Sequence, residues 1–209
     1  MAQEMSPQEI RAKYLKDMGK DLGPVFHRLR DDLTWLHMKW SQFRKLYGSG
    51  PDRVDLLNAT AGFFFWMLQQ LMWDDILLHI ARLTDADQMG KHANLSVQAL
   101  PQLIDDLCLR AEIEELIETL NDQTSVIREH RNKRLAHTDR HYALPEKDWE
   151  TLQGISRAKT ESILEVFRRI MNKMEEHYSK STTADEYVII PLDDADALLT
   201  RLASVKHVS

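Results

Sequence analysis

The sequence predicts an all-α protein, a single helical bundle with a short C-terminal extension. Three observations predict it. Only 7 Gly and 6 Pro in 209 residues leave few turns for many short strands. Apolar side chains recur at three- and four-residue spacing through long windows. Tyr187-Val188-Ile189-Ile190-Pro191 is the only strand-like run, and five residues do not make a sheet. With 43% apolar and 29% charged residues the chain is globular rather than disordered. Its length suits one domain, with a core over about 20–178 and the extension over about 179–209.

The elements follow in order. Ser6 and Pro7 give an N-cap and a first helical proline, with Glu9 in the first turn. That helix runs to about Leu22 and stops at Gly23-Pro24. Pro24 opens a second helix to about Tyr47, which buries Leu29, Leu33, Leu36, Trp40, Phe43 and Tyr47 along one stripe. Gly48-Ser49-Gly50-Pro51 is a turn cluster. Asp52 begins a long third helix to about Leu83, and Thr84 to Asn94 reads as a polar loop. Ser96 caps a short segment that Pro101 restarts or kinks. A helix spans about Arg110 to His137, with Asn121-Asp122 as its weak point, and Thr138 to Gly154 is a loop. Ser156 opens the last long helix, to about Tyr178, burying Ile163, Val166, Phe167, Ile170 and Met174. Asp193 or Asp194 caps a terminal helix to about Ala203.

Charge and targeting signals narrow the function classes. The 27 Lys+Arg against 33 Asp+Glu give a net charge of -6, which excludes a protein basic throughout but not a local basic patch. Leu56 to Trp73 is eighteen residues without a charge, the length of a membrane span. Asn58, Thr60, Gly62, Gln69 and Gln70 interrupt it and Asp74-Asp75 follow, so the expectation is a central buried helix that doubles as an oligomer seam, with no membrane. No signal peptide is read at Met1-Ala2-Gln3-Glu4, and the single Cys108 excludes an intrachain disulfide; a reducing cytoplasm is expected.

The informative stretch is Ile127 to His141. It holds five cations (Arg128, Arg131, Lys133, Arg134, Arg140) and two anions (Glu129, Asp139), a local charge of +3. Arginine makes bidentate contacts to phosphate, and imidazole moves protons near neutral pH. That combination is a minimal kit for metal-free phosphodiester cleavage; a solvated basic helix face is the plain alternative.

Arg131-Asn132, then Lys133-Arg134-Leu135-Ala136, then His137 resembles the signature of the HEPN superfamily. Leu56-Leu57-Asn58, Ala61-Gly62-Phe63-Phe64-Phe65-Trp66, Trp73-Asp74-Asp75 and Arg82-Leu83-Thr84-Asp85 narrow the resemblance to the branch named after the AbiU abortive-infection protein, over roughly residues 20 to 205. The resemblance implies an all-α bundle of the HEPN type that dimerises, with the motif at the dimer cleft. It implies a metal-independent endoribonuclease of defence or toxin type without cofactors, often encoded beside an antitoxin-type partner. Arg131 would contact the scissile phosphate, Asn132 would orient the histidine or the phosphate, and His137 would be general base or acid. Arg128, Lys133, Arg134, Arg140 and His141 would bind RNA. Some HEPN proteins instead bind nucleotide, RNA or a protein partner without turnover.

One geometric condition accompanies this reading. Arg131 and His137 are six apart, about 600° of α-helical rotation and roughly 120° from alignment. A composite site needs the helix to end or bend before His137, or needs two chains. Elsewhere the signals are weaker. His137 and His141, with Asp139 nearby, have no third ligand at zinc spacing, so no metal is expected. His27 and His37 read as solvated, His79 as a buried structural histidine and Cys108 as packed. The adjacent acids Asp31-Asp32, Asp74-Asp75, Asp105-Asp106 and Glu114-Glu115 point apart on a helix, and structural use is expected of them.

Overall fold

Five α-helices account for most of the regular structure among the residues that the computed structural model of the protein describes, 6–135, 153–180 and 193–206. Helix α1 is Pro7–Tyr47 and α2 is Pro51–Thr84. A two-residue strand pair follows, β1 Gln88–Met89 with β2 His92–Ala93, then 3₁₀ turns at Val97–Ala99 and Pro101–Leu103. Helix α3, Leu107–His130, passes directly into a π-helical turn, Arg131–Leu135. Helices α4, Arg157–Ser179, and α5, Ala195–Lys206, complete the order. The described chain forms two compact units, one of residues 6–33, 80–135 and 153–180, the other of 34–79 and 193–206.

In the first unit, α1 starts on a reciprocal cap. The Glu9 N–H donates to Ser6 Oγ at 3.3 Å, and the Glu9 carboxylate accepts from the Ser6 N–H at 2.7 Å. The helix breaks at Gly19 (φ 80, ψ 178), a region only glycine occupies readily, and resumes at once. The break expected at Gly23-Pro24 is therefore four residues earlier. Pro24 lies inside the second stretch, five residues past Gly19, so the helix there lacks the N–H that would bond the Lys20 carbonyl. Gly23 is required for a different reason. A Cβ there would lie 2.6 Å from the Tyr14 carbonyl oxygen, so the two stretches cross with backbone against backbone. Tyr14 and Phe26 meet edge to face at 5.2 Å across that crossing.

Helix α3 begins at Leu107, where the Asp106 carboxylate accepts from the Leu109 N–H at 2.8 Å. It runs through Asn121-Asp122 without a break, and Gln98 Nε2 donates to Asn121 Oδ1 at 2.7 Å there. Helix α4 starts on Ser156, whose Oγ accepts from the Lys159 N–H, and packs antiparallel to α3: Ser162 contacts Gln123, and Lys173 pairs with Glu112. Ile163, Phe167, Ile170 and Met174 of α4 are buried, as are Ile113, Leu120 and Ile127 of α3. Each such side chain contributes about 1.5–3 kcal/mol on burial. The buried Glu175 is satisfied by Arg30 at 2.9 Å and by the Tyr14 hydroxyl, which donates to it. The stretch Thr84 to Asn94, expected as a loop, carries the small hairpin, turned through Gly90 at φ 62.

In the second unit, Trp40 stacks on Phe43 at 5.6 Å, and Trp73 lies 5.3 Å from Phe43. Asp194 caps α5, accepting from the N–H groups of Asp196 at 2.9 Å and Ala197 at 3.2 Å. Lys45 pairs with Asp194 and Asp196, and Arg53 with Asp196 at 2.7 Å. The hydrogen bond from Lys45 holds the Asp194 carboxyl below its usual range, and that bond raises Lys45 in return.

Four expectations change here. Helix α2 starts at Pro51 and is interrupted at Ala61 (φ -158, ψ 67), beside Gly62, rather than running unbroken. Between Leu56 and Trp73 only Leu57 and Phe65 are buried, whereas Phe63 is 77%, Trp66 56% and Leu71 60% exposed. The uncharged helix is thus an outward face, not a central core element. No described helix is long and apolar enough to cross a membrane. His37 is buried rather than solvated, and Cys108 is exposed rather than packed. The strand-like run at Tyr187 to Pro191 lies outside the described residues, as does most of the loop expected over Thr138 to Gly154.

Candidate functional site at the end of helix α3

The basic stretch begins where α winding stops. Helix α3 ends at His130, and Arg131–Leu135 closes the wider i→i+5 turn of a π-helix. The α-helical rotation that would put Arg131 and Arg134 on one face no longer applies beyond His130. Helix geometry therefore changes before position 137, within the first residues of the motif.

Arg131 is about three-quarters shielded. Its Nη2 lies 3.3 Å from Asp85 Oδ2, and its Nη1 donates to Asn132 Oδ1 at 3.4 Å. Asn132 is exposed. Lys133 Nζ pairs with Glu129 at 2.6 Å, one helical turn back, and Arg134 is half-buried. Arg128 folds along its own helix, donating to Thr124 Oγ1 at 2.8 Å and to the Asn121 carbonyl at 2.7 Å. That places it against the backbone rather than in an open cationic face. His130 Nε2 is 2.8 Å from the Gln153 carbonyl oxygen, so that nitrogen carries the proton. His137, Arg140 and His141 lie outside the described residues.

The structure thus brings Arg131 and Asn132 together and adds two residues that sequence reasoning did not single out for the site, Asp85 and Gln153. The signal for Asp85 was an acid directly after a helix, at the carbonyl end where a carboxylate is disfavoured. Gln153 had no signal, because its contribution is a backbone carbonyl. Among the described residues no group of three or more His, Cys, Asp or Glu is arranged to hold a metal ion. A cavity of about 320 Å³, lined by Asp106, Cys108, Leu109, Glu112, Lys173, Glu176 and His177, lies at the other end of α3.

The described residues thus form an all-α protein with an arginine-asparagine pair at the end of helix α3. The family described as AbiU2, within HEPN, matches residues 19–198, and the chain belongs to it. Comparison with curated proteins and with solved structures gives no match.

Proposed function

We propose that the protein is a metal-independent endoribonuclease of the defence or toxin type, working in the cytoplasm as a homodimer with the two motifs at a shared cleft. The observation that carries this reading is Arg131, a shielded arginine held beside an exposed Asn132 at a π turn, in a chain of the AbiU2 family. Arg131 takes the non-bridging oxygens of the scissile phosphate and stabilises the charge that builds on them. One His137 removes the 2′-hydroxyl proton as that oxygen bonds to phosphorus; the phosphorus–5′-oxygen bond breaks, and a second histidine protonates the leaving oxygen. A single imidazole does not hold both roles at once, which gives the dimer a chemical purpose. Lys133, Arg134, Arg140 and His141 supply the remaining contacts to the RNA backbone, Arg128 supports them from the helix, and an antitoxin-type protein restrains the activity.

The test is cleavage of total RNA by purified protein in the presence of EDTA, with His137→Ala alongside. The wild type cuts, and the variant falls by about 10²- to 10⁴-fold while keeping its helicity. Binding of RNA without cleavage by the wild type would move the assignment to a HEPN-fold binding protein.

A further inference from the structure

Asp85 follows the last residue of α2, at the end where the helix carbonyls make a carboxylate unfavourable. Its side chain is only 15% exposed, so it is partly desolvated as well. The turn that carries it is braced. Asn94 Nδ2 donates to the Ala86 carbonyl at 2.8 Å, the Asn94 N–H to the Asp87 carbonyl at 2.7 Å, and Gln102 Nε2 to Asp87 Oδ2 at 3.2 Å. A fixed carboxylate in an unfavourable place needs a cation, and the cation it meets is Arg131 at 3.3 Å.

We infer that Asp85 is a positioning residue for Arg131, acting on phosphate chemistry through the guanidinium without touching the RNA. The inference rests on the reading of Arg131 as the phosphate-binding residue. With Nη2 against Asp85 and Nη1 against Asn132, the guanidinium plane is held at both terminal nitrogens. Each of those nitrogens has a second N–H and Nε has a fifth, so donors remain for a phosphate. A two-point contact to phosphate needs an oriented fork, and an arginine held beforehand does not reorganise as charge develops.

Simple electrostatics predicts the reverse, which makes the inference testable. A negative charge beside a phosphate-binding arginine repels RNA, so removing it should help if repulsion is all it does. Positioning predicts that Asp85→Ala lowers kcat on a defined RNA by about ten- to a hundredfold with KM unchanged or lower. Asp85→Asn, which keeps an oxygen acceptor, falls less and carries the test if the alanine variant folds poorly. In an Arg131→Lys background neither change lowers kcat further. Cleavage by Asp85→Ala equal to or faster than wild type overturns the inference. A second readout is independent of activity: nitrogen NMR of the arginine side chains, with Arg131 identified by the signal lost in Arg131→Lys. Hindered guanidinium rotation in the wild type and averaging in Asp85→Ala support positioning even if no RNA is cut, in which case the proposed function alone fails. An Arg131 signal already averaged in the wild type, or unchanged in Asp85→Ala, overturns the inference whatever the cleavage result.

Discussion

Between Ile127 and Leu135 the chain is crowded with cations, yet Arg128, Arg131 and Lys133 each lean on a named neighbour: Thr124 and Asn121, Asp85, and Glu129. Between Leu56 and Trp73 there is no charge at all, yet Phe63, Phe64, Trp66, Met67 and Leu71 point outward. Composition alone suggests the opposite, a solvated charge run and a buried apolar helix. The difference teaches that residue type sets the cost of an environment, while the partners within reach set whether that cost arises. A cation is held where the fold supplies a carboxylate or carbonyl, and an aromatic side chain stays exposed where none of the described residues of its own unit covers it.

The largest effect that would sharpen this comparison is on assembly. If a second copy covers the α2 face, Phe63→Glu with Trp66→Glu places charges in an apolar seam and weakens the dimer at least about a hundredfold, since an unpaired buried charge costs several kcal/mol. Sedimentation at micromolar concentration checks this: a dimer for the wild type, a monomer of unchanged helicity for the variant. A monomeric wild type breaks the seam reading.

A smaller effect belongs to the crossing in α1. Gly23→Ala forces a methyl against the Tyr14 carbonyl, and urea unfolding should show a loss of about 1–3 kcal/mol. Unchanged stability would mean that the crossing has room to spare.

The smallest effect is electrostatic. Lys45 lowers Asp194 and Asp196 below the ordinary aspartate value of 3.8. Carboxylates depressed by folding contribute stability that is present above that value and lost as pH falls through the folded one. Lys45, raised above 10.5, contributes below that value and loses its part as pH rises through the folded one. Melting curves from pH 7 to pH 3 should therefore drop less steeply for Asp194→Asn than for the wild type, and parallel curves would remove the cluster as a pH-dependent brace of α5.

What was legible in the sequence was local. Ser6 with Glu9, Ser156 and Asp194 cap their helices as their residue types require, because a cap reaches only two or three residues along the chain. The buried stripe Ile163, Val166, Phe167, Ile170 and Met174 was legible for the same reason, since periodicity on one helix suffices. Gly19 was not, because Gly23-Pro24 is the stronger breaker on paper and only the contact with Tyr14 shows why Gly23 sits inside a helix. At the site, Arg131 and Asn132 stood out through their motif. Asp85 did not, because it lies forty-six positions away in sequence and its meaning comes from the fold.

The most direct test of the central claim sets Arg131 apart from its charged neighbours. RNA cleavage and binding are compared for Arg131→Lys and for Lys133→Ser with Arg134→Ser, at two salt concentrations. Arg131→Lys is expected to keep binding but to lose cleavage by about a hundredfold or more, because lysine offers a point charge and no fork. The double variant weakens binding and flattens its salt dependence, as the loss of phosphate contacts requires, while the bound RNA is still cut. Retained cleavage in Arg131→Lys, with cleavage lost in the double variant, would contradict the account and leave a general phosphate-binding surface in its place.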